Sequence, residues 1–240
     1  MATVAESGRP HPVARERNFF FWMALAIAAT TVAGFSFQFA MGRSSLASPW
    51  WVHLHGVTFM GWMAIWVFQN YLVWSGRVNL HRRVGPIAAV YVAWMIAIGI
   101  SATMLAAANH RIPPFFEPNA FMVMDWTYVL VFAGLTWSAV RLRAKSDWHR
   151  RLMLSGAIVV MAPGLARLLP LPLLGGWIYW GVWAGLAVYF AIAMAWDIAT
   201  RRSIHPAYFW GLGAITLGVA LIRPIASSPP LLALTERLTG

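Results

Sequence analysis

Seven histidines and seven carboxylates are scattered through 240 mostly apolar residues, so each one is a candidate for chemistry. His55, Thr58, Trp62, Trp66 and Gln69 follow one another at spacings of three, four, four and three, which puts them on one face of a helix. On such a face an imidazole and a carboxamide either bond a neighbouring helix or hold a ligand. The face runs about 21 Å along a helix axis from His55 to Gln69. His53 points nearly the opposite way, so one regular helix cannot offer both histidines to a single metal. A short phrase also occurs twice, as Leu80-His81-Arg82-Arg83-Val84 and as Trp148-His149-Arg150-Arg151-Leu152, each at the entry to an apolar run. One reading is a pair of basic loops anchored at lipid phosphates. The other is paired imidazoles serving a metal, a haem propionate or a proton.

The candidate cofactor-binding residues are therefore His55, Gln69, His81 and His149; the cofactor is left open, haem b between neutral imidazoles being one that such residues could hold. No metal-ligand set and no catalytic set is assigned. Without cysteine, disulfides, thiolate zinc, iron–sulfur clusters and covalent c-type haem are excluded.

The elements that must carry these residues follow from composition. The chain is 60% hydrophobic and 10% charged, with mean hydropathy +0.64, which excludes a soluble protein. Uncharged runs at 18–42, 44–76, 84–110, 168–196 and 203–222 each suffice to cross a bilayer, which takes about 20 residues. The runs are apolar all round, so a β-barrel, whose strands alternate, is excluded. The expected fold is an all-α polytopic membrane bundle of seven helices, with spans at Phe19–Met41, Trp50–Trp74, Pro86–Ala108, Phe121–Val140, Leu152–Leu169, Gly175–Ile198 and Ala207–Ile222. Pro163 interrupts the fifth, so a re-entrant segment over 152–169 fits the same pattern. The expected organisation is a cytoplasmic tail over 1–18, one transmembrane domain over 19–222 and an extracytoplasmic tail over 223–240. The first run is longer than the about 7–15 residues of a signal peptide core and is read as a retained span.

Orientation follows from the basic residues. With the N-terminus inside, Arg9, Arg15 and Arg17, then Arg77, Arg82 and Arg83, then Arg141, Arg143, Lys145, Arg150 and Arg151, then Arg201 and Arg202 are cytoplasmic, thirteen of eighteen. That asymmetry predicts N-terminus in and C-terminus out. It also explains the +11 net charge through topology and anionic lipid headgroups. Nucleic acid is not an expected partner; the lipid bilayer and membrane-complex subunits are, in a bacterial inner membrane. Two small-residue rows, Ala89-Ala93-Ala97-Ser101 and Gly181-x-x-x-Gly185, are expected to face neighbouring helices.

The order His55, Gln69, Gly76-Arg77, His81-Arg82 and Gly85, then Asp147, His149-Arg150, Met153 and Arg167, resembles a group of bacterial multi-pass membrane proteins of unknown function. The resemblance covers roughly residues 53–167. It departs at Leu152, where such proteins often carry an aromatic residue, and in the last two spans. What it implies is architecture rather than activity.

Four classes of function are compatible with these residues. A non-catalytic membrane subunit or assembly-type protein requires the fewest assumptions. A haem or other redox-cofactor protein needs two imidazoles at matched depth. A metal-dependent intramembrane hydrolase would draw on His81, His149 and His205 with Asp147 or Asp197, against their arginine neighbours. A small-solute transporter would use the break at Pro163, Gly164 and Arg167. There is no Gly-x-Ser-x-Gly elbow and no phosphate loop, so nucleophilic catalysis has no support and the balance leans away from an enzyme.

Overall fold

The structure, a computed structural model, describes residues 12–240. These form ten α-helices and one short 3₁₀ turn, with no strand among the described residues: α1 (Pro12–Ala40), α2 (Trp50–Trp74), α3 (Val78–Ala108), α4 (Pro118–Arg141), α5 (Ser146–Val160), α6 (Ala162–Ala166), α7 (Leu171–Leu174), α8 (Ile178–Arg201), α9 (Pro206–Ala226) and α10 (Pro229–Thr239). The 3₁₀ turn, Gly175–Trp177, leads into α8.

Five stretches are long and apolar enough to cross a membrane: Val13–Ala40, Val78–Ala108, Pro118–Arg141, Leu171–Arg201 and Pro206–Ala226. The expected count was seven. Helix α2 falls short because His53, His55, Gln69 and Asn70 dilute its apolar residues, although it carries no charge over 25 residues. The expected fifth span falls short because it is split. The chain leaves regular helix at Met161 and resumes for one short helix, since Pro163 has no N–H to donate to the preceding turn.

Consecutive helices α1 to α5 pack side by side as up-and-down neighbours, with α9 against α4 and α5, α6 wedged between α1 and α8, and α8 beside α9. The loops around 41–49 and 109–117 lie at what we term the distal end, and those around 75–77, 142–145 and 202–205 at the proximal end. The core runs through α4 and α5. Leu154, Ile158, Val159 and Met161 are fully buried, as are Phe132, Phe190, Tyr208 and Ile222 around them.

Several helices differ from expectation. Helix α1 begins at Pro12, so residues 12–18 of the expected tail are its first turns; residues 1–11 lie outside the described residues. The expected tail over 223–240 holds the end of α9 and helix α10, which lies against α3 and α4. Both His-Arg phrases, expected in loops, are helical: His81 is the fourth residue of α3 and His149 the fourth of α5. Long arginines let a helix start inside the headgroup zone while their heads stay in water. On α3 the buried face is Ala88, Val92, Met95, Gly99, Thr103 and Ala107, so Ala93, Ala97 and Ser101 face outward rather than into the bundle. On α8 the glycine pair does pack: a Cβ on Gly185 would lie 2.7 Å from Leu165.

Candidate functional site: a distal chamber and two proximal clusters

The stripe read on α2 faces inward, since Thr58, Trp62, Trp66 and Gln69 are all buried. It divides between two ends of the molecule. His55 opens onto a distal chamber of about 1200 Å³, enclosed by the second half of α1, the first halves of α2 and α4, the end of α3 and the segment 160–173. Gln69 lies toward the proximal end, where the His-Arg phrases meet.

The chamber exists because α1 and α6 touch backbone to backbone. A Cβ on Gly34 would fall 1.9 Å from the Gly164 carbonyl oxygen, and one on Gly164 would fall 2.7 Å from Thr31 Cα. This contact brings the Pro163 break alongside α1 and directs the chain into the chamber wall. Arg167 follows one turn later, held by its Nη1, which donates to the Pro163 carbonyl at 2.7 Å. Its guanidinium also lies 4.2 Å from the Phe35 ring centroid, a stabilising cation–π arrangement. Gln38 Nε2 donates to the Arg167 carbonyl at 3.0 Å, tying the residue's main chain to α1.

Opposite these, α4 contributes Asp125 and Tyr128, and α3 contributes Thr103. Thr103 Oγ1 lies 2.9 Å from the Gly99 carbonyl oxygen and 3.3 Å from Asp125 Oδ2. Among the described residues no carboxylate is within 4.0 Å of Arg167, so cation and acid share the chamber without a closed ion pair. His55 stacks on Phe59 with centroids 4.4 Å apart. Its Nδ1 and the Tyr128 hydroxyl are buried with no hydrogen-bond partner among the described residues. Leaving such groups unpaired costs about 1–3 kcal/mol each, so they are available to a ligand. Phe59, Met60, Met63, Phe116, Phe121 and Met124 make an apolar part of the wall, and Thr31, Ser36 and Ser44 add hydroxyls on the α1 side. Arg43 and Arg111 add positive charge at the loops.

His55 is thus much less exposed than Val57, which is 71% exposed on the same helix. His53 turns away, its Nε2 3.1 Å from the Leu46 carbonyl oxygen. Asp125 lines the chamber with His55, and His110 does not line it.

At the proximal end His81 and His149 come together with ring centroids 6.2 Å apart and planes at 70°. His149 Nδ1 is 2.8 Å from the Ala139 carbonyl. His81 Nδ1, both polar atoms of the Gln69 amide and Trp66 Nε1 are buried without partners among the described residues. Of the four candidate cofactor residues, the structure therefore groups His81 and His149, with Gln69 on the α2 face toward them, and sets His55 apart.

A second proximal cluster is ionic. Arg151 and Asp197 are both fully buried and joined by two bonds, Nη2 to Oδ1 at 2.6 Å and Nε to Oδ2 at 3.0 Å. Asp197 Oδ2 also accepts the His205 main-chain N–H at 3.1 Å. Glu16 lies 3.0 Å from Arg150 and 3.3 Å from Arg151, and Asp147 contacts Arg150, Arg151 and Arg201. This set is a clamp binding α1, α5, α8 and the start of α9. No group of three or more metal-ligating side chains occurs among the described residues, so a three-ligand hydrolytic centre is not assembled from His81, His149 and His205.

Sequence reasoning passed over Thr103, Tyr128 and Glu16. The first two sit in apolar helices at positions where only the partner helix reveals which face is buried. Glu16 lay in a segment read as a tail; its signal was its place one turn before the apolar run of α1. Comparison of the chain with models of protein families, with curated proteins and with solved structures gives no match.

Proposed function

We propose that the protein is a non-catalytic, multi-pass membrane protein whose distal chamber binds an amphipathic molecule with an anionic head. The observation that carries this reading is Arg167, a cation without a closed ion pair, in a chamber walled by aromatic and methionine side chains. A carboxylate or phosphate head would receive charge-assisted bonds from its guanidinium. A hydrocarbon or ring body would lie along Phe59, Met63, Phe116 and Met124. His55 and Tyr128 supply further polar contacts, and Asp125 with Thr103 sets the acidic side of the floor. Such a site, mostly apolar with a few convergent polar groups, has the usual composition of a small-molecule pocket. A membrane-complex subunit or assembly-type protein fits the same architecture, the chamber then serving to carry a ligand for its partners.

In this reading α2 and the α5–α6 segment cross the bilayer together with the five apolar stretches, giving seven crossings. The thirteen basic residues favour a cytoplasmic proximal end, and the membrane is a bacterial inner membrane. The likeness to bacterial multi-pass proteins of unknown function belongs to the same proposal. The test is organic extraction of the purified protein followed by mass spectrometry. Wild type should carry an anionic amphiphile that Arg167→Gln lacks at equal yield and thermal stability; identical extracts from the two would refute the site.

A further inference from the structure

The proximal histidine pair stands apart from the chamber, and we infer that His81 and His149 form a two-imidazole site for a transition-metal centre, taken up as copper(I) or as haem iron. The separation of the rings fits such a site. Two imidazoles on opposite sides of one metal, each at a metal–nitrogen distance of about 2 Å, put their ring centres about 6 Å apart. The rings of His81 and His149 are 6.2 Å apart.

The tautomer of His149 points the same way. The 2.8 Å contact to the Ala139 carbonyl requires His149 Nδ1 to carry the proton, because a carbonyl oxygen only accepts. The lone pair then lies on Nε2. A ring nitrogen donating to a main-chain carbonyl is the usual support behind a metal-ligating histidine, fixing both orientation and basicity. The pair is mounted on the first turns of two helices, α3 and α5, with the Ala139 carbonyl supplied by a third, α4. Three elements therefore hold the separation.

Polar atoms beside the pair are also left unpaired. His81 Nδ1 and both ends of the Gln69 amide are buried without partners among the described residues; Gln69 is 8% exposed and its main chain lies against the His81 ring. Unsatisfied groups in such numbers are rare unless something binds there.

The chemistry of the donors narrows the metal. Two imidazoles, with no third His, Cys, Asp or Glu grouped with them among the described residues, do not make the three-ligand site of a catalytic zinc. They match opposed ligation, as in two-coordinate copper(I) or the axial positions of haem iron, both suited to imidazole nitrogen. Arg82, adjacent to His81, and Arg143, near His149, disfavour a bare dication. They are compatible with a monocation or with a haem whose propionates they would meet.

The experiment uses the full-length protein in detergent, with His81→Ala, His149→Ala and Met41→Ala beside wild type. One arm titrates copper(I) under reducing conditions against a competing chelator; the other titrates hemin and reads the Soret band. Melting curves establish that each variant is folded. The expected result is one equivalent bound by wild type in one arm, with at least a tenfold weaker affinity in both histidine variants and no change in Met41→Ala, an exposed methionine at the distal end. In the copper arm the X-ray absorption edge should be that of two-coordinate, nitrogen-ligated copper(I). Saturable binding in neither arm, or binding that survives both histidine substitutions in folded protein, would overturn the inference.

Discussion

At the residue scale, the Arg151–Asp197 pair sets the sharpest expectation. Both side chains are completely buried and joined by two bonds, so removing one partner strands the other charge. Breaking a buried pair typically costs about 3–5 kcal/mol, whereas an exposed pair is worth about 0–1 kcal/mol. Asp197→Ala should therefore lower the thermal midpoint in detergent sharply, and Asp147→Asn, on a half-exposed carboxylate, should leave it nearly unchanged.

His205 gives a pH prediction beside that pair. Its Nδ1 accepts the Ala207 N–H at 3.2 Å and caps α9, a role open only to the neutral ring. Burial lowers its pKa below the ordinary value of 6.5, and Arg151 and Arg201 push the same way. The unfolded chain therefore binds this proton more readily than the folded one. The histidine's contribution is complete above pH 6.5 and declines as pH falls below it. Melting curves from pH 8 to pH 5 should show that decline, and His205→Asn, which keeps a capping oxygen without titrating there, should flatten it.

At the scale of elements, the seam between α1 and α6 controls the chamber. Gly164 faces Thr31 main chain so closely that a methyl group must separate the helices, and such overpacking costs about 1–3 kcal/mol. Gly164→Ala should lower the melting temperature by several degrees. It should also weaken ligand retention, since Pro163 and Arg167 move with α6, whereas Gly134→Ala, which meets open space, should do neither. The inward face of α2 was legible because polar residues at helical spacing are too costly to leave in lipid. The α3 row misled because small residues suit a close helix contact and an outward face alike. The split of the fifth segment was signalled by Pro163, but its contact with α1 depends on Gly34, 130 residues earlier. No local pattern links the two.

For the whole molecule, composition was sufficient to specify a helical membrane bundle. The long apolar runs and scarce charges leave no other way to satisfy the backbone within a bilayer. What composition could not specify is which ends of which helices converge. His55, Asp125 and Arg167 are widely separated in sequence and no motif joins them; His81 and His149 repeat a phrase, but their 6.2 Å separation depends on how α3 and α5 cross. The same architecture predicts that reporter fusions in the 142–145 loop read as cytoplasmic and fusions after Gly240 as extracytoplasmic. A periplasmic signal from the loop would reverse the proposed orientation.

The central claim is that Arg167 turns the distal chamber into a site for an anionic amphiphile. It is tested most directly by equilibrium binding of oleate to the protein in lipid nanodiscs, wild type against Arg167→Gln. A charge-assisted hydrogen bond is worth about 1.5–3 kcal/mol, so the account predicts saturable binding at one equivalent, weakened at least tenfold by the substitution and little changed by Arg82→Gln at the other end of the molecule. Oleate affinity that is the same for wild type and folded Arg167→Gln, or binding that never saturates, would contradict it.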